Sequence, residues 1–181
     1  ALSRINNMIT VIRDISSELD CTSDEIIEKI GKLKNTVSSL EIEVRRLKEQ
    51  RTRTVASQLI KDSEKSVLVD GHIVVTSRHD DMDVQDLRSL GDALKDQGAS
   101  VVILGSTKNE RAFLMVMVQN DLADMGVDAR AIVKEPAKVL GGSGGGKKHL
   151  GQSGGKNVSQ MQRALQVATA EATKILSGIP K

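Results

Sequence analysis

The chain has 181 residues, a net charge of +2, one Phe, no Tyr or Trp, and a single cysteine, Cys21. So few aromatic rings exclude base stacking on aromatic platforms, and one cysteine excludes both an internal disulfide and a thiolate zinc cluster, which fits a reducing, cytoplasmic setting. No apolar run approaches the roughly 20 residues that a membrane helix needs, nothing resembles a signal peptide, and the start at Ala1 suggests a piece cut from a longer chain.

Two heptad seams open the sequence. The first is Ile5, Met8, Ile12, Ile15 and Leu19; the second is Ile26, Ile30, Leu33, Val37, Leu40, Val44 and Leu47. Alternating steps of three and four keep a narrow apolar stripe on one side of a helix, facing a partner helix. Thr22 followed three residues later by Glu25 is a capping-box pattern that starts the second helix. The spacing predicts helices over about 2–19 and 23–62, roughly 27 Å and 60 Å long at 1.5 Å per residue. Folded back as a hairpin, the first covers only half of the second. Val37, Leu40, Val44 and Leu47 then need another partner, and a second copy of the chain is the simplest one. The rival is a parallel dimeric coiled coil, favoured by β-branched and leucine residues alternating from Ile30 to Leu47. Packing of both stripes onto the chain's own globular part is the bland alternative. Past Leu47 the stripe fails, and Arg45, Arg46, Lys48, Arg51 and Arg53 form a basic band.

From about residue 65 the periodicity changes, and 1–64 and 65–181 read as arm and globular domain. Val67–Val69, Asp70-Gly71 and His72–Val75 predict two strands joined by a tight turn. Asp83 caps a helix built on Val84, Leu87, Leu90 and Leu94 and ended by Gly98. Val101–Leu104 is a buried strand, Ser106–Arg111 a polar turn, and Ala112–Val118 another strand. Helices follow at about 121–125 and 129–140, the second disturbed by Pro136, and a last one runs from Val158 to Leu176. Interleaved strands and helices around one sheet make the unit α/β or α+β.

Charge is unevenly spread. Residues 61–130 carry a net −5, residues 131–181 a net +6 and residues 41–54 a net +2. Such asymmetry points to a polyanionic partner, although a solvated surface with clustered lysines has the same composition. Val139–Asn157 holds eight of the chain's 15 glycines. Gly141 to Lys147 has the spacing of a phosphate-binding Walker loop, but Lys148 stands where Ser or Thr would hold magnesium and no helix clearly begins after Lys147. A plain linker suits the glycines less well, because Leu150 and Gln152 interrupt them and an amphipathic helix follows. Arg78-His79-Asp80-Asp81 has metal-ligand types, yet adjacent residues on an extended chain point to opposite sides. No metal site and no catalytic constellation is expected. The residues alone read as a binding and assembly module.

Three segments carry a resemblance: "VSSLEIEVRRLKEQ", "MDVQDLRSLGDALKDQGASVVILGSTKNERAFLMVMVQNDL", and the glycine run Gly144-Gly145-Gly146 with Lys147 and the closing Gly151-Gln152-Ser153-Gly154-Gly155. Together they resemble the C-terminal region of alanyl-tRNA synthetases, a coiled-coil arm followed by a small globular domain. That domain is similar to the accessory domain of DHH-type phosphoesterases. Lys147-Lys148-His149-Leu150 replaces the familiar bacterial Arg-Pro-Asp-Met and looks more like an archaeal form. The resemblance implies dimerisation and the holding of tRNA(Ala) for the aminoacylation and editing centres of a parent ATP-dependent alanine–tRNA ligase. ATP, magnesium and zinc would belong to the parent's other domains. This segment alone would need no cofactor and catalyse nothing. On that reading Gly144, Gly145, Gly146, Lys147, Lys148 and Lys156 contact tRNA, Arg45, Arg46 and Arg53 are secondary contacts, and Val37, Leu40, Val44 and Leu47 form the dimer seam. Glycines let a backbone approach phosphates and offer N–H donors. Two other readings remain open: a purely structural homodimerisation module, and a nucleic-acid-binding accessory domain of a DHH-type phosphoesterase.

Overall fold

The computed structural model describes residues 2–179; Lys181, one of the basic residues of the C-terminal segment, lies outside them. The chain divides into two compact units, Ala1–Glu49 and Gln50–Lys181. The first contains α1 (Leu2–Glu18), a 3-10 turn at Ser23–Glu25 and the start of α2 (Ile26–Lys61). The Glu25 carboxylate accepts the Thr22 backbone N–H at 3.0 Å and the Thr22 hydroxyl at 2.7 Å. Those bonds satisfy a donor that the start of a helix otherwise leaves unpaired.

The arm is helical as its periodicity predicts, but α1 does not close onto α2. Partial burial is confined to the neighbourhood of the junction, at residues such as Leu19, Cys21 and Ile26. The seams themselves stay open, with Met8 65%, Leu40 59% and Leu47 51% exposed. A stripe of two apolar residues per heptad matches one facing helix, and within the first unit neither stripe meets the other. Among the described residues the expected intramolecular hairpin is therefore absent, and the seam residues stay exposed.

The second unit is built on one six-stranded mixed sheet. Its strands are β1 (Ser66–Val69), β2 (His72–Arg78), β3 (Val101–Lys108), β4 (Arg111–Val118), β5 (Ser143–Lys147) and β6 (Leu150–Gly155). Their order is β1-β2-β3-β4-β6-β5, and only β2 and β3 run parallel. That parallel pair needs a crossover, and α3 (Val84–Asp96) supplies it. Asp83 caps α3 by accepting from the Gln85 and Asp86 N–H groups at 3.0 and 2.9 Å. Two helices precede the glycine segment, α4 (Asn120–Asp124) and α5 (Ala129–Val139), and α6 (Met161–Leu176) follows it.

Side chains alternate across the sheet and feed two cores. Val74, Ile103, Leu114 and Val116 pack with Ile132, Val133 and Leu140 of the α5 region and with Met161 and Leu165 of α6. On the other face, Val75, Val102, Leu104, Met115 and Met117 pack with Leu87, Leu90 and Leu94 of α3 and with Ala56 near the end of α2. Burying one such aliphatic side chain stabilises the fold by about 1.5–3 kcal/mol. Valine, leucine and methionine thus supply the packing that aromatic residues would otherwise contribute.

Three local readings change. The turn between β3 and β4 is only Asn109-Glu110, both with positive φ (49° and 56°), so the strands run to Lys108 and Arg111. That is the backbone of a two-residue hairpin, the same device as Asp70-Gly71 between β1 and β2. Helix α5 runs through Pro136, which is buried in its last turns. A 3-10 turn at Val158–Gln160 precedes α6.

Candidate nucleic-acid interface

The glycine segment is neither a linker nor an irregular loop. Its two strands, β5 and β6, form an antiparallel hairpin, and β6 pairs with β4 from Ala112↔Gly155 to Met117↔Leu150. Lys147 therefore ends a strand and leads into a two-residue turn rather than a helix, which removes the geometry of a Walker loop. β5 is one edge of the sheet and is exposed along its whole length.

Helix α5 explains three of the glycines, Gly144, Gly151 and Gly155. It lies against β5 and β6 and comes close enough that a Cβ at Gly151 would sit 2.4 Å from the Ala129 carbonyl oxygen. A Cβ at Gly155 would sit 1.8 Å from the Leu140 carbonyl oxygen, which accepts the Asn157 N–H at 3.1 Å. At Gly144 the nearest atom would be Val133 Cγ1, at 2.9 Å. Gly145 is different: nothing lies within 4 Å of the position its Cβ would take, so that residue is open to an incoming group. Gly146, with φ +135°, carries the strand into its turn. Sequence reasoning assigned Gly144–Gly146 to ligand approach alone. Gly144 also seats a helix.

The hairpin turn is pinned to the start of α5. The Lys148 carbonyl accepts the Ala129 N–H at 2.7 Å. Asp128, which caps α5 through the Arg130 N–H at 2.8 Å, also holds the Arg130 guanidinium at 2.5 Å. That side-chain bond is the main reason the Asp128 carboxyl sits below its usual range, with the Lys148 charge adding to it. Lys147 and Lys148 are both exposed at this end of the sheet.

Lys156 is elsewhere. It follows β6, six residues of strand away from the turn, and a rise of about 3.3 Å per residue separates the two ends by roughly 20 Å. The three lysines consequently do not form one cluster. Lys156 joins Lys108 and Arg111 around a shallow cleft of about 670 Å³, together with Asp81 and Glu110. Lys108 and Arg111 were not singled out from the sequence, although their places on either side of an Asn109-Glu110 turn are a legible hairpin signal. Nearby, Asp80 accepts from Arg78 at 3.0 Å and from the Thr107 hydroxyl, bonds that pull its carboxyl below the usual range, Thr107 first. Among the described residues no three His, Cys, Asp or Glu side chains converge as a metal site.

On α2, Arg46 donates to Glu43 at 2.7 and 2.8 Å, so its charge is engaged within the helix. Arg45 is exposed, as is Arg53, whose carbonyl accepts from Ser57 and Gln97. Val37, Leu40, Val44 and Leu47 lie uncovered on the same helix, between 51% and 59% exposed. No helix among the described residues is long and apolar enough to cross a membrane.

The DHHA1 domain profile matches residues 70–174. The alanine–tRNA ligase of Acetivibrio thermocellus is 34% identical over 179 residues, covering 98% of this chain and 20% of that protein. The alanine–tRNA ligase of Alkaliphilus oremlandii is 32% identical over 155 residues, covering 85% of this chain and 17% of that one. Among solved structures, the C-Ala domain from Aquifex aeolicus alanyl-tRNA synthetase superposes with a TM-score of 0.53 at 29% identity, over 63% of this chain and 99% of that chain. The chain spans about a fifth of the length of these ligase relatives.

Proposed function

The chain belongs to the DHHA1 domain family, and from that premise we propose that it is the C-terminal module of an alanine–tRNA ligase, holding tRNA(Ala) and pairing with a second copy of itself. The observation that carries this reading is the extent of the similarity: the match to the Acetivibrio thermocellus ligase runs over 98% of the chain and so takes in the helical arm as well as the globular unit. The parent would be an ATP-dependent cytoplasmic ligase whose catalytic and editing domains lie outside this segment.

The physical features agree with such a role. An exposed edge strand with an open Gly145, Lys147 and Lys148 at one end, and Lys156 with Lys108 and Arg111 at the other can track a phosphate backbone without reading bases. Folded RNA is recognised mainly by shape, which a rigid sheet edge suits. The uncovered Val37–Leu47 stripe suits association of two arms.

A salt titration of tRNA(Ala) binding tests the reading. Affinity should fall linearly on a log–log plot, by roughly 0.7–0.9 per phosphate neutralised. Lys147→Ala with Lys148→Ala should reduce the slope by about two at most, and Lys156→Ala by about one. Because the two groups are far apart, their effects should add. A flat salt response, or no binding at low salt, would remove the tRNA half of the proposal.

A further inference from the structure

A second cleft, near the opposite edge of the sheet, lies between α6 and strands β1 and β2. It is a cleft of about 640 Å³, within the size range of small-ligand sites. The sheet order puts four strands between β1 and β5, so about 24 Å separates this edge from the glycine hairpin at roughly 4.8 Å per strand step.

The wall that α6 presents is polar and regular. Gln162, Gln166, Thr169 and Thr173 recur at helical spacing and all line the cleft, a row of amides and hydroxyls about 16 Å long at 1.5 Å per residue. Amphipathic helices ordinarily turn such a row to bulk solvent, but here it faces strand β2. The floor carries a hydrogen bond whose direction can be deduced. Thr169 Oγ1 donates its one proton to the Leu165 carbonyl at 2.9 Å, so in its 2.8 Å contact with Thr76 it is the acceptor and Thr76 the donor. Thr76 is thereby held with its remaining lone pairs free to accept from a ligand hydroxyl or amine.

Charge converges on the same cleft. Lys65, Arg78 and Lys174 line it with a single carboxylate, Glu64, leaving an excess of two positive charges. Arg78 gives its Nε to Asp80 at 3.0 Å, so the two lysines are the freer cations. We propose that this cleft binds a ribonucleotide phosphate, with Lys65 and Lys174 on the phosphate and the Gln162–Thr173 row and Thr76 on ribose hydroxyls and base edges. A bare anion would leave the row of amides and hydroxyls unused. A neutral sugar would leave the cations unpaired. No aromatic ring lines the cleft, so the base is held by its edge rather than by stacking. The same chemistry is offered by a free nucleotide and by a short stretch of RNA strand. This site does not depend on the tRNA reading, since a chain that failed to hold tRNA at the glycine hairpin would still bind here.

The test uses the full 181-residue chain, isotopically labelled, titrated with AMP, with a four-residue oligoadenylate and with inorganic phosphate. Saturable amide shifts centred on Gln166, Thr169 and Thr173 are expected with AMP or the oligomer. Binding of AMP identifies a free-nucleotide site, and binding of the oligomer alone identifies a strand site. Gln166→Ala combined with Lys174→Glu changes two exposed positions of α6 and should weaken binding at least tenfold, with calorimetry confirming an unchanged melting temperature. Should that variant not fold, the map of shifts in the unaltered chain decides by itself. The proposal is overturned if no probe saturates, if phosphate binds as tightly as AMP, if shifts centre on Gly144–Lys148 instead, or if a folded double variant binds as before.

Discussion

Replacing the glycines of the β5–β6 hairpin one at a time separates helix seating from ligand contact. In Gly155→Ala the new Cβ would sit 1.8 Å from the Leu140 carbonyl oxygen and 2.5 Å from its carbon; in Gly151→Ala it would sit 2.4 Å from the Ala129 carbonyl oxygen. All three are backbone atoms at the ends of α5, so no rotamer change relieves the clash. The helix must shift by an ångström or so, and it carries the fully buried Ile132, Val133 and Leu140 with it. Overpacking of this kind costs about 1–3 kcal/mol. For a chain of this length each kcal/mol moves the melting temperature by about 2–4 °C, so losses of roughly 2–12 °C are expected. Gly145→Ala has open space and should be neutral or raise stability by up to about 1 kcal/mol by restricting the unfolded chain. It would instead weaken tRNA binding if the open strand face is a contact. Differential scanning calorimetry of the four proteins is the assay. Melting of Gly151→Ala and Gly155→Ala within about 1 °C of the parent would refute the seating of α5 on glycine.

Asp83→Ala removes the acceptor of two N–H groups at the start of α3 and should cost about 1 kcal/mol, read as a melting shift of a few degrees. Leu40→Glu places a charge in the middle of the exposed seam. It should turn a concentration-dependent dimer into a monomer in sedimentation while leaving the melting of the globular unit in place; an unchanged dimer would move the interface off the arm. Asp128 has its carboxyl lowered chiefly by the Arg130 side chain, so its stabilising effect is complete above the ordinary aspartate pKa of about 3.9 and is lost as pH falls through the lowered value. Asp128→Asn keeps a good helix cap and should flatten the acid limb of the stability–pH curve below about pH 4; identical acid limbs would count against the pairing.

Much of this molecule could be read from local pattern. Heptad spacing marked both arm helices, Thr22 and Glu25 marked the start of the second, and Asp83, Gly98 and Asp70-Gly71 punctuated the globular unit where they were expected to. These features are encoded within a few residues, because caps, tight turns and helical stripes are settled by neighbouring φ/ψ preferences and by side chains one turn apart. The glycine segment could not be read that way. Glycine has no side chain to alternate, so Ser143–Gly155 carries no period-two signal even though eleven of those residues lie in strands. Only pairing with β4, about forty residues earlier, makes it a sheet edge.

That long-range pairing also decided the layout of charge. In sequence, Lys147, Lys148 and Lys156 look like one cluster around the glycines. An extended strand between them carries Lys156 to the far end of the sheet, beside Lys108 and Arg111. The polar row on α6 carries no local signal for the same kind of reason: Gln162, Gln166, Thr169 and Thr173 line a cleft only because the helix packs across β2, where Thr76 comes within 2.8 Å of Thr169. Composition and periodicity by themselves determined which segments are helical and what the core is made of. Tertiary structure alone decided which backbones touch and which charges share a surface, because those depend on register and close approach between segments that the chain keeps far apart.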